Sequence, residues 1–269
     1  LLSYVSFPCC KPCFYLPLQP DSEPMKILVC ISQAPDTTSK ISFIDNDTRF
    51  NDDKVQFIVN PYDEWYALVR ALELKESLGG QVSIITVGPA SVEAVIRKAL
   101  AIGADDAIRL DAEPSDSFGT AEAIAAYAKD KGFDLILTGK ETIDFNGSEV
   151  GGLIAGLMDL PFISQATKLD LDKGNAVLET AAEGGVEVIT CPLPCVVSAS
   201  KGMAEARIPN MRGIMAARTK PIQVIAFQAN AQVNVKKFSL PAPKSSVKLI
   251  SPDHVEQLVE LLHTEAKVI

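Results

Sequence analysis

From Met25 to about Pro161, short apolar runs alternate with stretches of helical spacing, and this alternation constrains the fold more than any other property of the sequence. KILVCI (26–31) is an almost unbroken apolar run, the pattern of a strand covered on both faces. VQFIV (55–59) is a second, closed by Asn60-Pro61. The next segment places Trp65, Leu68, Val69, Leu72 and Leu74 at helical spacing, and Gly79-Gly80 stops it. QVSIITVG (81–88), AIRL (107–110) and FDLILTGK (133–140) read as further strands. SVEAVIRKALAIGA (91–104), with Ser91 as its N-cap, TAEAIAAYAKDKG (120–132) and SEVGGLIAGLMD (148–159) read as helices. Strands separated by helices of ~12 residues need crossover connections, so the expected fold is α/β, a doubly wound parallel sheet of Rossmann-like type. Such a sheet binds ligands beyond the carboxyl ends of its strands, where strand order reverses. The loops 32–36, 60–63, 87–89 and 139–148 are therefore where chemistry is sought.

After Pro161 the chain becomes β-rich. KLDLDKGNAVLET reads as a hairpin turning at Lys173-Gly174-Asn175, and PCVVSAS as another strand. A polar loop, a short helix and a strand follow. Residues 230–251 are extended, with Pro241 and Pro243, and one helix runs from Pro252 to Lys267. An extended segment of this length is rare inside a compact domain, so it reads as an arm that reaches onto a partner. The expected organisation is a nucleotide-binding α/β domain over 25–227 and a C-terminal arm and helix over 228–269. Residues 1–24 are apolar but broken by Pro8, Pro12, Pro17 and Pro20, with no basic start and no arginine. They read as neither a signal nor a transit peptide but as an unstructured extension of other origin, with Met25 the natural start.

Composition excludes several function classes. A net charge of −9 disfavours nucleic acid, and no apolar run reaches the ~18 residues of a membrane helix. His254 and His263, the two histidines, lie nine residues apart in the terminal helix and read as solvated. They make neither a two-histidine metal site nor part of a hydrolase triad. Cys9, Cys10 and Cys13 lack a second ligand pair, and Cys30 reads as a small buried hydrophobe, so no metal is expected and a reducing cytoplasm is. There is no GxGxxG after the first strand and no GxxxxGK[ST], which leaves a dinucleotide fingerprint, a P-loop and an ATP-using synthetase unsupported.

Two segments can carry a ligand. LTGKETIDFNGSEVGGLIAGL (137–157) empties a buried strand into a polar loop that enters a helix at Asn146-Gly147-Ser148. Its helix start offers free amides for a phosphate, and Asp144 can accept from a ribose hydroxyl. The competing reading makes Gly147 and Ser148 plain caps, with Gly151, Gly152 and Gly156 serving helix packing. Asn60-Pro61-Tyr62-Asp63 either meets an adenine or ribose edge or caps the next helix. Arg207, Arg212 and Arg218, with Lys201, Lys220 and three methionines, form a basic, Met-bearing segment: a docking loop or a solvated face.

Taken together, KILVCISQAPDT (26–37), FIVNPYDEWYALVRALELKE (57–76), VGPASVEAVIRKALAIGADDAIRL followed by LILTGKETID, and LPCVVSASKGMAEARIPNMRGIMAARTKPIQV (193–224) resemble electron transfer flavoprotein beta subunits. The resemblance spans Met25 to about Phe227. It implies an alpha-subunit partner whose mobile flavin domain holds most of the redox-active FAD. It also implies an adenine nucleotide in this chain, AMP in simple carriers or a second FAD in bifurcating ones. By position that site falls on Cys30, Asn60, Pro61, Tyr62, Asp63 and Val87, and on the loop and helix start that include Asp144, Phe145, Asn146, Gly147, Ser148, Glu149, Val150 and Gly151. The family's recognition loop falls on 207–218, with Arg207, Pro209, Asn210, Met211, Arg212 and Met215 facing dehydrogenases and Met211 as the apolar anchor. Three departures stand out. Arg212-Gly213-Ile214-Met215 replaces Pro-Asn-Ile-Met. Ala181 replaces a glutamate that steadies the flavin domain, with Glu179 and Glu183 as candidate stand-ins. Phe145 and Gly147 interrupt an acidic, polar run.

The implied function is a heterodimeric carrier, not itself an enzyme. It takes electrons from acyl-CoA or other flavin dehydrogenases through FAD to a quinone reductase or similar acceptor. The alternatives are an electron-bifurcating complex that oxidises NADH and, in another class, a stand-alone nucleotide-binding sensor, against which the long C-terminal region and the basic loop speak.

Overall fold

The computed structural model describes residues 24–61, 63–113, 116–243 and 247–269. The extension before Pro24 and Tyr62 lie outside these. The chain divides into two units, one of residues up to 40 with 53–234, the other of 41–52 with 235–269.

The first unit is built on a nine-stranded sheet. Its first strand in chain order is β1 (Lys26–Cys30), which lies inside the sheet. Two short strands, β2 (Gln33–Pro35) and β5 (Phe57–Val59), pair with each other outside that sheet. Helix α1 (Asp63–Leu78) leads to β6 (Gln81–Val87), α2 (Glu93–Ile102) to β7 (Asp106–Asp111), α3 (Ser117–Ala128) to β8 (Leu135–Gly139), and α4 (Val150–Met158) to β9 (Phe162–Asp172). The chain then continues through β10 (Asn175–Ala182), β11 (Gly185–Pro192), β12 (Cys195–Ala199), helix α5 (Met211–Ala217) and β13 (Ile222–Ala226). In the sheet the strands run β11-β10-β9-β12-β8-β1-β6-β7-β13. All neighbours from β9 to β13 along that order are parallel, as the alternation of strand and helix predicts, and β9-β10-β11 adds an antiparallel meander.

Strand periodicity sorts the core into two layers. Ile27, Val29 and Ile31 face the cluster that holds α1 and α2, while Leu28 and Cys30 face the one that holds α3 and α4. Residues such as Leu28, Ile84, Leu135 and Ile136 are fully buried, each contributing roughly 1.5–3 kcal/mol. The chain progresses from β1 to β6 and β7 on one side, then returns to place β8 on the other side of β1. Strand order therefore reverses between β1 and β8, which makes their carboxyl ends the crevice of the fold.

The hairpin expected around Lys173-Gly174-Asn175 is present, with Asn175 already in β10 and the turn made by Lys173-Gly174 alone, both at positive φ (48° and 82°) as a type I′ turn requires. Elsewhere local detail departs from expectation. Ser91 is not a helix cap: a 3-10 turn (Ala90–Val92) precedes α2, and its cap residue, Pro89, makes no side-chain bond. Helix α3 starts at Ser117 rather than Thr120, because the Asp116 carboxylate accepts the Gly119 amide. The second strand is shorter than 55–59, and the terminal helix is a 3-10 turn (Pro252–His254), α6 (Val255–Leu261) and a π turn (Leu262–Ala266).

The second unit joins a small hairpin, β3 (Phe43–Ile44) and β4 (Arg49–Phe50), to the C-terminal segment. Phe43 stacks on Phe238 with ring centroids 4.9 Å apart, and the Phe238 amide donates to the Asp47 carbonyl at 2.7 Å.

Candidate functional site

Three chain segments converge where β1 and β8 end. Asn60, fully buried at the end of β5, donates through Nδ2 to the Glu141 carbonyl (2.9 Å), and its Oδ1 accepts the Ile143 amide (3.0 Å). The side chain thus acts as a two-point strut that fixes the loop after β8. It is spent on that loop, so the helix-cap reading of Asn60 does not hold. Pro61 and Asp63 follow it directly, bringing the start of α1 to the same place.

Glu64, the second residue of α1, is 6% exposed and accepts both the Ser32 amide and the Ser32 hydroxyl, each at 2.7 Å. It thereby ties the helix to the exit of β1. Burial pushes the Glu64 carboxyl up to about 8, and the Asp144 and Asp63 charges push the same way against the Ser32 hydrogen bonds. Burial also raises the Asp63 carboxyl, which Lys140 opposes, and raises the thiol of Cys30. Gly139 lets β8 approach this helix: a Cβ there would sit 2.7 Å from the Glu64 Cγ and 3.0 Å from its backbone nitrogen. Glu64 was missed by sequence reasoning, although it continues the buried stripe of Ala67, Leu68, Ala71 and Leu72, an unusual place for a carboxylate.

The loop after β8 is exposed and strained. Asn146 and Ser148 adopt positive φ (50° and 53°), the Asn146 amide donates to the Thr142 carbonyl, and the Ser148 hydroxyl donates to Glu141 at 3.1 Å. Burial raises the Glu141 carboxyl, but Ser148 and Lys140 outweigh it and hold it below its usual value. Asp144 accepts the Phe145 amide, and Phe145 itself is 71% exposed. Gly147 lies against the start of α3, its hypothetical Cβ 3.6 Å from the Ser117 Oγ.

Glu149 precedes α4 with no side-chain cap, so neither Gly147 nor Ser148 caps that helix as the competing reading had it. The first-turn amides at Val150 and Gly151 have no intrahelical acceptor. Thr138, 3% exposed, keeps a buried hydroxyl without a hydrogen-bond partner among the described residues; it lies beside Gly151, where a Cβ would sit 2.8 Å from that oxygen and 2.9 Å from Phe162. Packing therefore does require glycine at 151, whereas Gly156 has open space. Cys30 and Val87 end adjacent strands and pack in one cluster. The structure thus draws Cys30, Asn60, Pro61, Asp63 and Val87 and the 144–151 segment around the carboxyl ends of the sheet, with Phe145 turned to solvent.

The basic segment has a different construction. The Arg207 guanidinium is bidentate on Glu76 (2.7 and 3.1 Å) and holds that carboxyl below its usual value. The Lys220 ammonium donates to the Leu100 and Ala104 carbonyls at the end of α2, and Arg97 donates to the carbonyls of Ala217 (2.7 Å) and Lys220 (2.6 Å). These two cations are structural struts, not free charges for a partner. Asn210 caps α5 by accepting the Gly213 amide at 2.8 Å, which settles the shape after the anchor. Met203 is buried, while Ile208, Met211 (73%) and Met215 stand exposed on a braced platform that also carries Pro209 and Arg212. Among the stand-ins for the missing glutamate, Glu179 is engaged by Lys168 at 3.0 Å, and Glu183 stands exposed in the turn before β11.

Gly213 makes this platform possible, since a Cβ there would lie 2.2 Å from the Ala101 carbonyl oxygen. Gly213→Ala is expected to cost about 1–3 kcal/mol through overpacking, seen as a lower urea midpoint. Ile208→Ala on the same loop leaves the midpoint in place; equal midpoints for both variants would refute the close approach.

Comparison with known proteins agrees with this picture. The model of the electron transfer flavoprotein domain matches residues 47–230. The electron transfer flavoprotein subunit beta of Bacillus subtilis is 36% identical over 91% of this chain and all of its own length. Protein FixA of Azotobacter vinelandii is 33% identical over 89% of each chain, and the acryloyl-CoA reductase electron transfer subunit gamma of Anaerotignum propionicum is 31% identical over 76% of this chain and 79% of its own. The first and third of these relatives are named as electron-transfer subunits, in keeping with a carrier rather than a catalyst. The chain belongs to the electron transfer flavoprotein family, as a beta subunit.

Proposed function

We propose that this beta subunit pairs with an alpha subunit, anchors AMP in the crevice between β1 and β8, and presents the 207–218 loop to a flavin dehydrogenase. Electrons then pass from the dehydrogenase, through FAD held mainly by the alpha subunit, to a quinone reductase or a similar acceptor. The observation that carries this reading is the strutted crevice itself. A buried asparagine fixes the loop over it, the uncapped start of α4 offers amides to a phosphate, and the orphaned Thr138 hydroxyl lies in the same place. Asp63 and Asp144 supply acceptors suited to ribose hydroxyls or an exocyclic amine. When bound, the flavin supplies the electron chemistry, and the polypeptide supplies binding and orientation.

A relative named as an electron transfer subunit of acryloyl-CoA reductase supports an acyl-CoA-oxidising or -reducing partner. The exposed Ile208, Met211 and Met215 suit an apolar pocket on it. The segment beyond Asn234 exposes Leu240, Val247, Leu249, Leu258 and Val259, which supports docking of this arm on the alpha subunit. Among the described residues no helix is long and apolar enough to cross a membrane. The free thiols of Cys30, Cys191 and Cys195 suit a reducing cytoplasm.

Cofactor extraction from the co-purified heterodimer tests the reading. One FAD and one AMP per pair are expected. Two FAD would replace the simple carrier by the bifurcating alternative, and a colourless pair without adenylate would overturn the proposal.

A further inference from the structure

One carboxylate at the start of α3 serves two segments far apart in sequence. Asp116 Oδ1 accepts the Gly119 amide at 2.7 Å and caps the helix, while Oδ2 accepts the amides of Gln232 at 2.6 Å and Val233 at 2.7 Å. Farther along α3, Glu122 accepts from Asn230, from the backbone amide at 3.2 Å and from the side-chain amide at 3.3 and 3.4 Å. The chain between β13 and Ser251 has no described helix or strand, so its own backbone provides no regular bonding there. The clasp lies at its root, just before the first unit ends at Asn234. Beyond that point come the exposed apolar side chains of the arm.

We propose that Asp116, with Glu122, is a positioning clasp that fixes where the C-terminal arm departs and thereby strengthens its docking on the alpha subunit. The inference rests on the reading that the arm docks there. An arm released at its root samples more conformations before docking and loses more entropy on binding. Asp116 need not touch the partner, because its effect passes through the backbone of Gln232 and Val233.

The test keeps the full chain and uses the recombinant alpha subunit as the probe. Asp116→Ser retains the helix cap, since a serine hydroxyl accepts from the same amide, but offers no second oxygen to the arm. Val233→Pro removes one donor from the other side. Asp116→Ser is expected to leave the thermal midpoint of the free chain within about 2 °C and to weaken the Kd for the alpha subunit roughly tenfold. Val233→Pro weakens it less, and the double variant is no weaker than Asp116→Ser alone, because both remove the same contact. An unchanged Kd for Asp116→Ser, or penalties that simply add, would overturn the clasp. Hydrogen exchange over 235–269 separates this result from the underlying reading. Protection on mixing with an unchanged Kd for Asp116→Ser removes only the clasp, whereas no protection in the wild type removes docking of the arm and the clasp with it.

Discussion

Asn60→Ala is expected to destabilise the chain by roughly 2–4 kcal/mol and to abolish retention of adenylate. The side chain is fully buried and forms the link between the end of β5 and the loop after β8. Truncation strands the Glu141 carbonyl and the Ile143 amide at once and leaves a void where the amide stood. A lost surface hydrogen bond costs far less, because water replaces the partner. The loss propagates into the crevice because the loop has no regular structure of its own: Asn146 and Ser148 already sit in the left-handed region, and an untethered loop relaxes away from it. Urea unfolding gives the stability change, and nucleotide extracted from the purified heterodimer gives the binding change. Asp36→Ala, at another strand end where the carboxylate bonds only Thr38 among the described residues, serves as control and leaves both unaltered. Retention of a full adenylate complement by Asn60→Ala would mean that the loop is held by other means.

Much of this architecture was legible because its signals are local. KILVCI and LILTG are apolar on nearly every residue, so strands buried on both faces announced themselves, and strand–helix alternation then required parallel pairing. The Lys173-Gly174 turn was legible for the same reason, its two residues carrying the conformation that a tight hairpin demands. What escaped was non-local or very short. β3 and β4 have two residues each, too few for any periodicity. Asn60 and Glu141 lie 81 residues apart, and Arg207 and Glu76 131 apart, so the sequence offers a ligand-facing or capping asparagine and a basic segment where the fold makes struts. Lys220 reads as part of a docking loop or a solvated face, yet it completes the carbonyl end of α2. The crevice follows from topology alone, whereas Glu64 is marked in the sequence only as a charged residue on an apolar helical stripe.

That residue gives the second large effect, a loss of stability as pH rises. In the unfolded chain Glu64 titrates near its ordinary value of 4.5, whereas burial holds it protonated in the fold until about pH 8. Below 4.5 both states carry the proton and the fold has its full stability. Between the two values the unfolded chain releases the proton while the folded chain keeps it, so stability falls with rising pH, and above about 8 the fall is complete. The total is on the order of 3–5 kcal/mol. Glu64→Gln cannot titrate, so the difference between wild-type and variant stability should change in favour of glutamine by about that amount from about pH 5 to about pH 9. Near pH 5 the two are expected to be close, because the glutamine oxygen accepts the Ser32 amide while its Nε2 donates to the Ser32 hydroxyl oxygen, as a protonated carboxyl can. Urea unfolding at intervals across that range measures the difference directly. Titrations common to both chains, including that of Asp63, cancel in it to first order. Parallel curves would show that Glu64 is already ionised in the fold, which would require a cation or water network against it that the Ser32 contacts do not provide.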